Sequence, residues 1–167
     1  MKYDLKLAHA DYRSVIPEII DGLLTKYPRA ALTQVYVGKP RNEKDISIGY
    51  YDEKAKKIWL NQYWVGRDPS FLQKAAKTEP LFHGEMTAEP AHICCHEFGH
   101  AVDWSDHQKI AKRRKEVWVA ATKDPKSAVA AYGLTNDVEY FAELFAAVEM
   151  GVAREGQIAA FRYVMEG

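Results

Sequence analysis

Residues 92–104 read "HICCHEFGHAVDW" and place His96, Glu97 and His100 in the order H-E-x-x-H. On an α-helix, residues four apart share a face, so His96 and His100 can aim two imidazole nitrogens at one point, as two ligands of a zinc ion would. Glu97 lies about 100° round the helix from His96. It would reach a water at the metal without ligating, the position of a general base. His92 lies on the same face but is excluded as a ligand. Eight residues separate it from His100, about 12 Å along the axis, whereas both nitrogens would have to approach one zinc to about 2.1 Å. His92 is expected to be partly buried, supporting the site from behind.

A tetrahedral catalytic site needs three protein ligands and one open position, and the sequence offers three sources for the third. A metzincin-like continuation would have glycine at 103 and histidine at 106, but the chain has Asp103 and Asp106, with His107 out of register. Without the glycine turn, the helix would carry Asp106 away. The second source is "YGLTNDVEYFAELFAAVEM" (132–150), where Glu139 and Glu143 are four apart among apolar neighbours. Carboxylates beside so much buried surface need partners. Glu139 has a competing reading: Asn136 could cap the helix and Glu139 reach back to complete a capping box. Glu143 could instead be an ordinary surface carboxylate. The third source, His83 or His107, has only residue type in its favour.

The pairing of "HEFGH" with "YGLTNDVEYFAE" resembles the gluzincin zinc peptidases, and most of all the family of the anthrax lethal factor catalytic domain. The likeness covers roughly residues 92–146; residues 1–91 share only the general order of helix and strands. It implies a zincin-like fold and a zinc ion held by His96, His100 and Glu139. Glu143 would orient His96, and Tyr132, seven residues before Glu139, would face the reacting carbonyl. The implied activity is peptide-bond hydrolysis with Glu97 as general base and a peptide or protein as substrate. The alternative is a non-catalytic zinc-binding module with a binding or structural role. Asp103 is expected to serve His100 or to satisfy nearby polar groups.

The elements that must position these residues are legible from periodicity. "SVIPEIIDGLLTKY" (14–27) spaces its apolar residues as an amphipathic helix, with Ser14 as cap and Pro17 near the start. "ALTQVYV" (31–37), "ISIGYY" (46–51) and "KIWLNQYW" (57–64) are rich in β-branched and aromatic residues and read as strands, the last two forming a hairpin. The last of these could be the sheet edge beside the cleft, where an extended substrate would pair, or equally an ordinary core strand carrying Trp59 and Trp64. A short helix is expected near 69–77. Thr87 and Pro90 mark the start of the active-site helix, 88–106, and helices follow at 107–123, 126–132, 137–150 and 153–165. The fold class is α+β, with a small mixed or antiparallel sheet and a mostly helical C-terminal half.

The 167 residues suit one domain, 1–167. Lysine plus arginine and aspartate plus glutamate each number 23, so the net charge is zero and nothing attracts the chain to nucleic acid or anionic lipid. The basic run "KIAKRRK" (109–115) reads as the solvated face of a helix. No secretory signal or transmembrane segment is evident, so a cytoplasmic location is expected. The two cysteines, Cys94 and Cys95, are adjacent and cannot staple the fold. The substrate's identity and the oligomeric state are not encoded in these patterns.

Overall fold

The computed structural model describes residues 1–40, 47–78 and 89–167, which form a mixed α+β architecture. Strand β1 (Lys2–Asp4) is followed by helix α1 (Ala10–Lys26), β2 (Gln34–Gly38), and a hairpin of β3 (Gly49–Asp52) and β4 (Lys57–Asn61). The sheet order is β1-β2-β4-β3, parallel except for β3, which runs antiparallel to β4. The expected hairpin is therefore present, closed where Asp52 Oδ1 accepts from the amides of Lys54 and Ala55. The short strand β1 carried too few residues to show a period. Part of the strand expected from residue 46, together with Thr87 and His83, lies outside the described residues.

Several expectations need correction. The strand expected over 57–64 stops at Asn61, whose side chain accepts from Tyr63 N at 2.9 Å and caps a four-residue helix, α2 (Gln62–Val65). Of the two readings of 57–64, core strand or sheet edge, β4 takes the first: it is an interior strand, and among the described residues the edge beside the active-site helix is β3. Finally, α1 starts four residues before Ser14, so Pro17 sits inside the helix. Proline there forgoes a backbone hydrogen bond, but a continuous face of Tyr12, Ile16, Ile20 and Leu23 is buried across that point and offsets the loss.

Helix α3 (Pro69–Thr78) matches its expected place. The active-site helix continues well past 106: α4 is one helix, Pro90–Lys123. It is not straight. Arg114 is hydrogen-bonded to Asp103, eleven residues before it, a separation of about 16 Å along a straight helix, more than the two side chains can span. The helix therefore bends between them. Ser105 lies within that span, and its hydroxyl donates to Ala101 O at 2.7 Å, a bond to the preceding turn of the kind that often accompanies bending. The same oxygen accepts from Ala31 N, tying the bend to the segment that leads into β2.

Residues 126–132 do not form the expected helix. They run from one single 3-10 turn, Pro125–Ser127, into another, Tyr132–Leu134. The carbonyls of Lys126, Ser127 and Ala128 accept instead from the side chains of Arg154 and Gln157. Helices α5 (Asp137–Glu149) and α6 (Glu155–Glu166) complete the chain.

One apolar core joins α1, the sheet, α4, α5 and α6. Its tightest seam is α4 on α5. Gly99 lets the backbones meet, since a β-carbon there would lie 3.1 Å from Ala142 Cα and 3.2 Å from Phe145 Cβ. The far end of α5 is tied to α1, where Glu149 accepts from Lys26 Nζ at 2.8 Å and Tyr27 Oη at 2.6 Å. Cys94 and Cys95 are buried free thiols. No helix among the described residues is long and apolar enough to cross a membrane. Gly99→Leu is expected to force α4 and α5 apart and cost about 1–3 kcal/mol or more by overpacking, read from urea unfolding of the two proteins.

Candidate metal centre

The first half of α4 presents its polar residues to α5. His96 Nε2 lies 3.1 Å from Glu139 Oε2 and 3.2 Å from His100 Nε2, and His100 Nε2 lies 3.5 Å from the same carboxylate oxygen. Ligand atoms 2.1 Å from a tetrahedral zinc are about 3.4 Å from one another, so the three atoms describe a triangle of nearly the size that such an ion demands. Two imidazoles and a carboxylate are also a donor set suited to zinc. The side chains of His96, His100 and Glu139 are 10%, 15% and 20% exposed among the described residues, Glu139 the most of the three.

Asn136 caps α5, accepting from Val138 N and Glu139 N at 3.0 and 2.9 Å. The Glu139 carboxylate does not turn back to complete a capping box; it faces the two histidines. The helix thus starts at the residue that its polar sequence marks, and its third position becomes free to reach across to α4.

Behind the triangle, His96 Nδ1 approaches Glu143 Oε1 to 2.9 Å. The approach is off the line of a well-formed hydrogen bond, so Nδ1 remains without an aligned partner and the contact is chiefly ionic. His92 lies on Glu143's other side, its Nε2 3.8 Å from Oε2. Among the described residues, five buried polar side-chain atoms have no hydrogen-bond partner. Four of them, His92 Nε2, His96 Nδ1, Glu97 Oε2 and Glu143 Oε2, belong to this cluster. Unsatisfied groups are otherwise rare in a folded interior, and their concentration here marks a place held together for something other than packing.

The electrostatics agree with that picture. Burial opposes ionisation of Glu139, yet hydrogen bonds from His100 and His96 hold its carboxyl far below the usual range. Burial likewise works against Glu143, but the charge of His96 and the contact with His92 bring it to about 2. For His96, burial favours the neutral ring, while Glu143 and Glu139 on its two nitrogens raise it well above the ordinary histidine range. Glu97 goes the other way: burial pushes its carboxyl up, despite His96 and His100 nearby.

Tyr132, in the 3-10 turn before α5, puts its ring centroid 6.0 Å from that of His96. Burial first, then the charges of Glu139, Glu97 and Glu143, push its hydroxyl well above the ordinary tyrosine range, so it stays protonated. The residues expected from the sequence therefore gather in one place. Of the two roles open to Asp103, it takes the second, satisfying a nearby polar group: it is paired with Arg114 rather than His100. Asp106 points elsewhere, to Arg29 at 3.2 Å, and His107 is half exposed.

Two residues of the site escaped the sequence reading. Arg114 belongs to the basic run taken for a solvated face, yet it is 5% exposed. Gly49 opens β3 against Glu97; a β-carbon there would fall 2.9 Å from Glu97 Oε1 and 3.0 Å from Trp59 O. A lone glycine inside a strand pattern is the signal that could have found it. Comparison with family models, with curated proteins and with solved structures finds no match to this chain.

Glu139→Ala is expected to weaken metal-ion binding at this candidate centre by orders of magnitude and Asp106→Ala by no more than a few-fold. Glu143→Ala should lower affinity 10–100-fold through loss of the group behind His96. Competition titration against a chelator measures all three, and the reverse order for Glu139 and Asp106 would remove Glu139 from the ligand set.

Proposed function

We propose that this chain is a zinc-dependent peptidase with a zincin-like fold. The observation that carries the reading is the triangle of His96, His100 and Glu139 donors at zinc-ligand spacing, with the buried Glu97 on the same helix. Further support comes from the sheet's antiparallel edge strand beside α4 and from a later helix that supplies the third donor. A zinc ion held by the three would act as a Lewis acid, bringing the pKa of a water towards about 7 and polarising a carbonyl.

The chain's own residues do the rest. Glu97, its basicity increased by burial, takes a proton from the attacking water and passes it to the leaving amine as the peptide bond breaks. Tyr132, kept protonated, donates to the carbonyl oxygen as negative charge develops on it. Glu143 keeps the His96 ring turned so that Nε2 faces the site and Nδ1 faces the interior. An extended peptide would lie beside β3, whose outer edge has no partner strand among the described residues.

Glu97→Gln is expected to keep the fold and the zinc but to abolish hydrolysis, because an amide cannot accept the proton. Wild-type protein that retains zinc yet cleaves nothing in a diverse peptide library would favour a non-catalytic zinc module instead. Tyr132→Phe should lower kcat by about 10²–10³ with KM and zinc content nearly unchanged. Gly49→Val should reduce hydrolysis while sparing zinc affinity, since the added side chain displaces Glu97 and touches none of the ligands; equal losses of both would contradict this assignment.

A further inference from the structure

Arg114 stands between two carboxylates. Its Nη1 is hydrogen-bonded to Asp103 Oδ1, and its Nε and Nη2 both lie 2.9 Å from Asp137 Oδ2. The side chains of Arg114 and Asp103 are only 6% and 7% exposed. A buried ion network of this kind is weak evidence for stability, because desolvating the charges costs about as much as their attraction returns, and apolar replacements are often as stable. Its value lies in what it locates.

The location is specific. Asp103 follows His100 by three residues, and Asp137 precedes Glu139 by two. Both arms of the network therefore end within one turn of a donor atom, on the two helices that supply the triangle. To make these contacts α4 bends between Asp103 and Arg114, which brings Arg114 to the start of α5. One turn beyond Arg114, Trp118 Nε1 donates to Leu134 O at 3.3 Å and holds the turn that carries Tyr132. Nothing else among the described hydrogen bonds and ion pairs joins α4 to the first turn of α5 apart from the donor contacts themselves.

We propose that Arg114, with Asp103 and Asp137, is a positioning clamp that fixes the first turn of α5 against α4 and so sets the distance of the Glu139 carboxylate from His96 and His100. The inference rests on the metal-site reading given above. Arg114 touches neither metal nor substrate; it acts through the helix that bears Glu139.

The test compares wild type, Arg114→Lys, and a triple variant with Arg114→Met, Asp103→Leu and Asp137→Asn, which removes the charges together so that none is left buried alone. Glu149→Gln, at the opposite end of α5, controls for general loosening of that helix. Zinc affinity, the visible spectrum of the cobalt-substituted protein, and amide exchange of metal-free protein over residues 137–143 are measured beside the melting temperature. The triple variant is expected to melt within a few degrees of wild type, lose 10–100-fold in zinc affinity, shift the cobalt bands and exchange faster at 137–143 but not at 155–166. Arg114→Lys should fall between, and Glu149→Gln should leave affinity within a few-fold. A folded triple variant with wild-type affinity and unchanged exchange at 137–143 overturns the clamp. If wild type itself takes up no zinc, the metal reading fails, and the exchange arm alone decides whether the clamp holds α5. If the triple variant does not fold, Arg114→Lys and Asp103→Asn carry the same comparison.

Discussion

Three carboxylates, Glu97, Glu139 and Glu143, are drawn into the seam between two helices, and a buried negative charge is tolerated only where positive charge or aligned donors meet it. His92, His96 and His100 line the facing side of α4 and meet that need in part, and the partnerless nitrogens and oxygens in the cluster measure what is left over. The rest of the architecture follows from the demand to bring these groups together. α4 and α5 must approach closely, which Gly99 allows. The sheet must close the Glu97 side without filling it, which Gly49 allows.

The long helix α4 serves three purposes along one axis. Its first half carries the imidazoles and Glu97. Its middle turns the axis, and there Ser105 is fastened through Ala31 to the segment that leads into β2. Its second half returns to α5 through Arg114 and Trp118. A break into two separate helices near residue 106, as amphipathic periodicity suggests, would free the two halves from one another. One continuous rod with a bend transmits the placement of the sheet to the placement of Asp137.

Most of the site was legible in the sequence because its chemistry is local. His96, Glu97 and His100 owe their common face to helical spacing alone, and the Asn136 cap fixes where the next helix starts. What was not legible depends on tertiary geometry. Arg114 reads as one more charge in "KIAKRRK" because its burial comes from the bend, which no periodicity records. Asp103 could not be assigned without that bend either. The interior place of β4 could not be chosen over an edge place because a strand's neighbours follow from sheet order, and Trp59 and Trp64 suit either equally well. Asn61, which ends that strand, was readable as a cap only once the chain was seen to turn there.

Helix α5 is held at both ends, by Arg114 on Asp137 and by Lys26 and Tyr27 on Glu149. A carboxylate at a helix C-terminus opposes the helix dipole, so Glu149 earns its place by its partners in α1 rather than by helix chemistry. The wall opposite is of another kind: among the described residues, β3 is joined to the sheet along one side only. Compliance at this centre is therefore lopsided. The α5 wall is pinned at both ends and the β3 wall along one side, so adjustment to a bulkier guest would fall first to the strand rather than to the helix that bears Glu139.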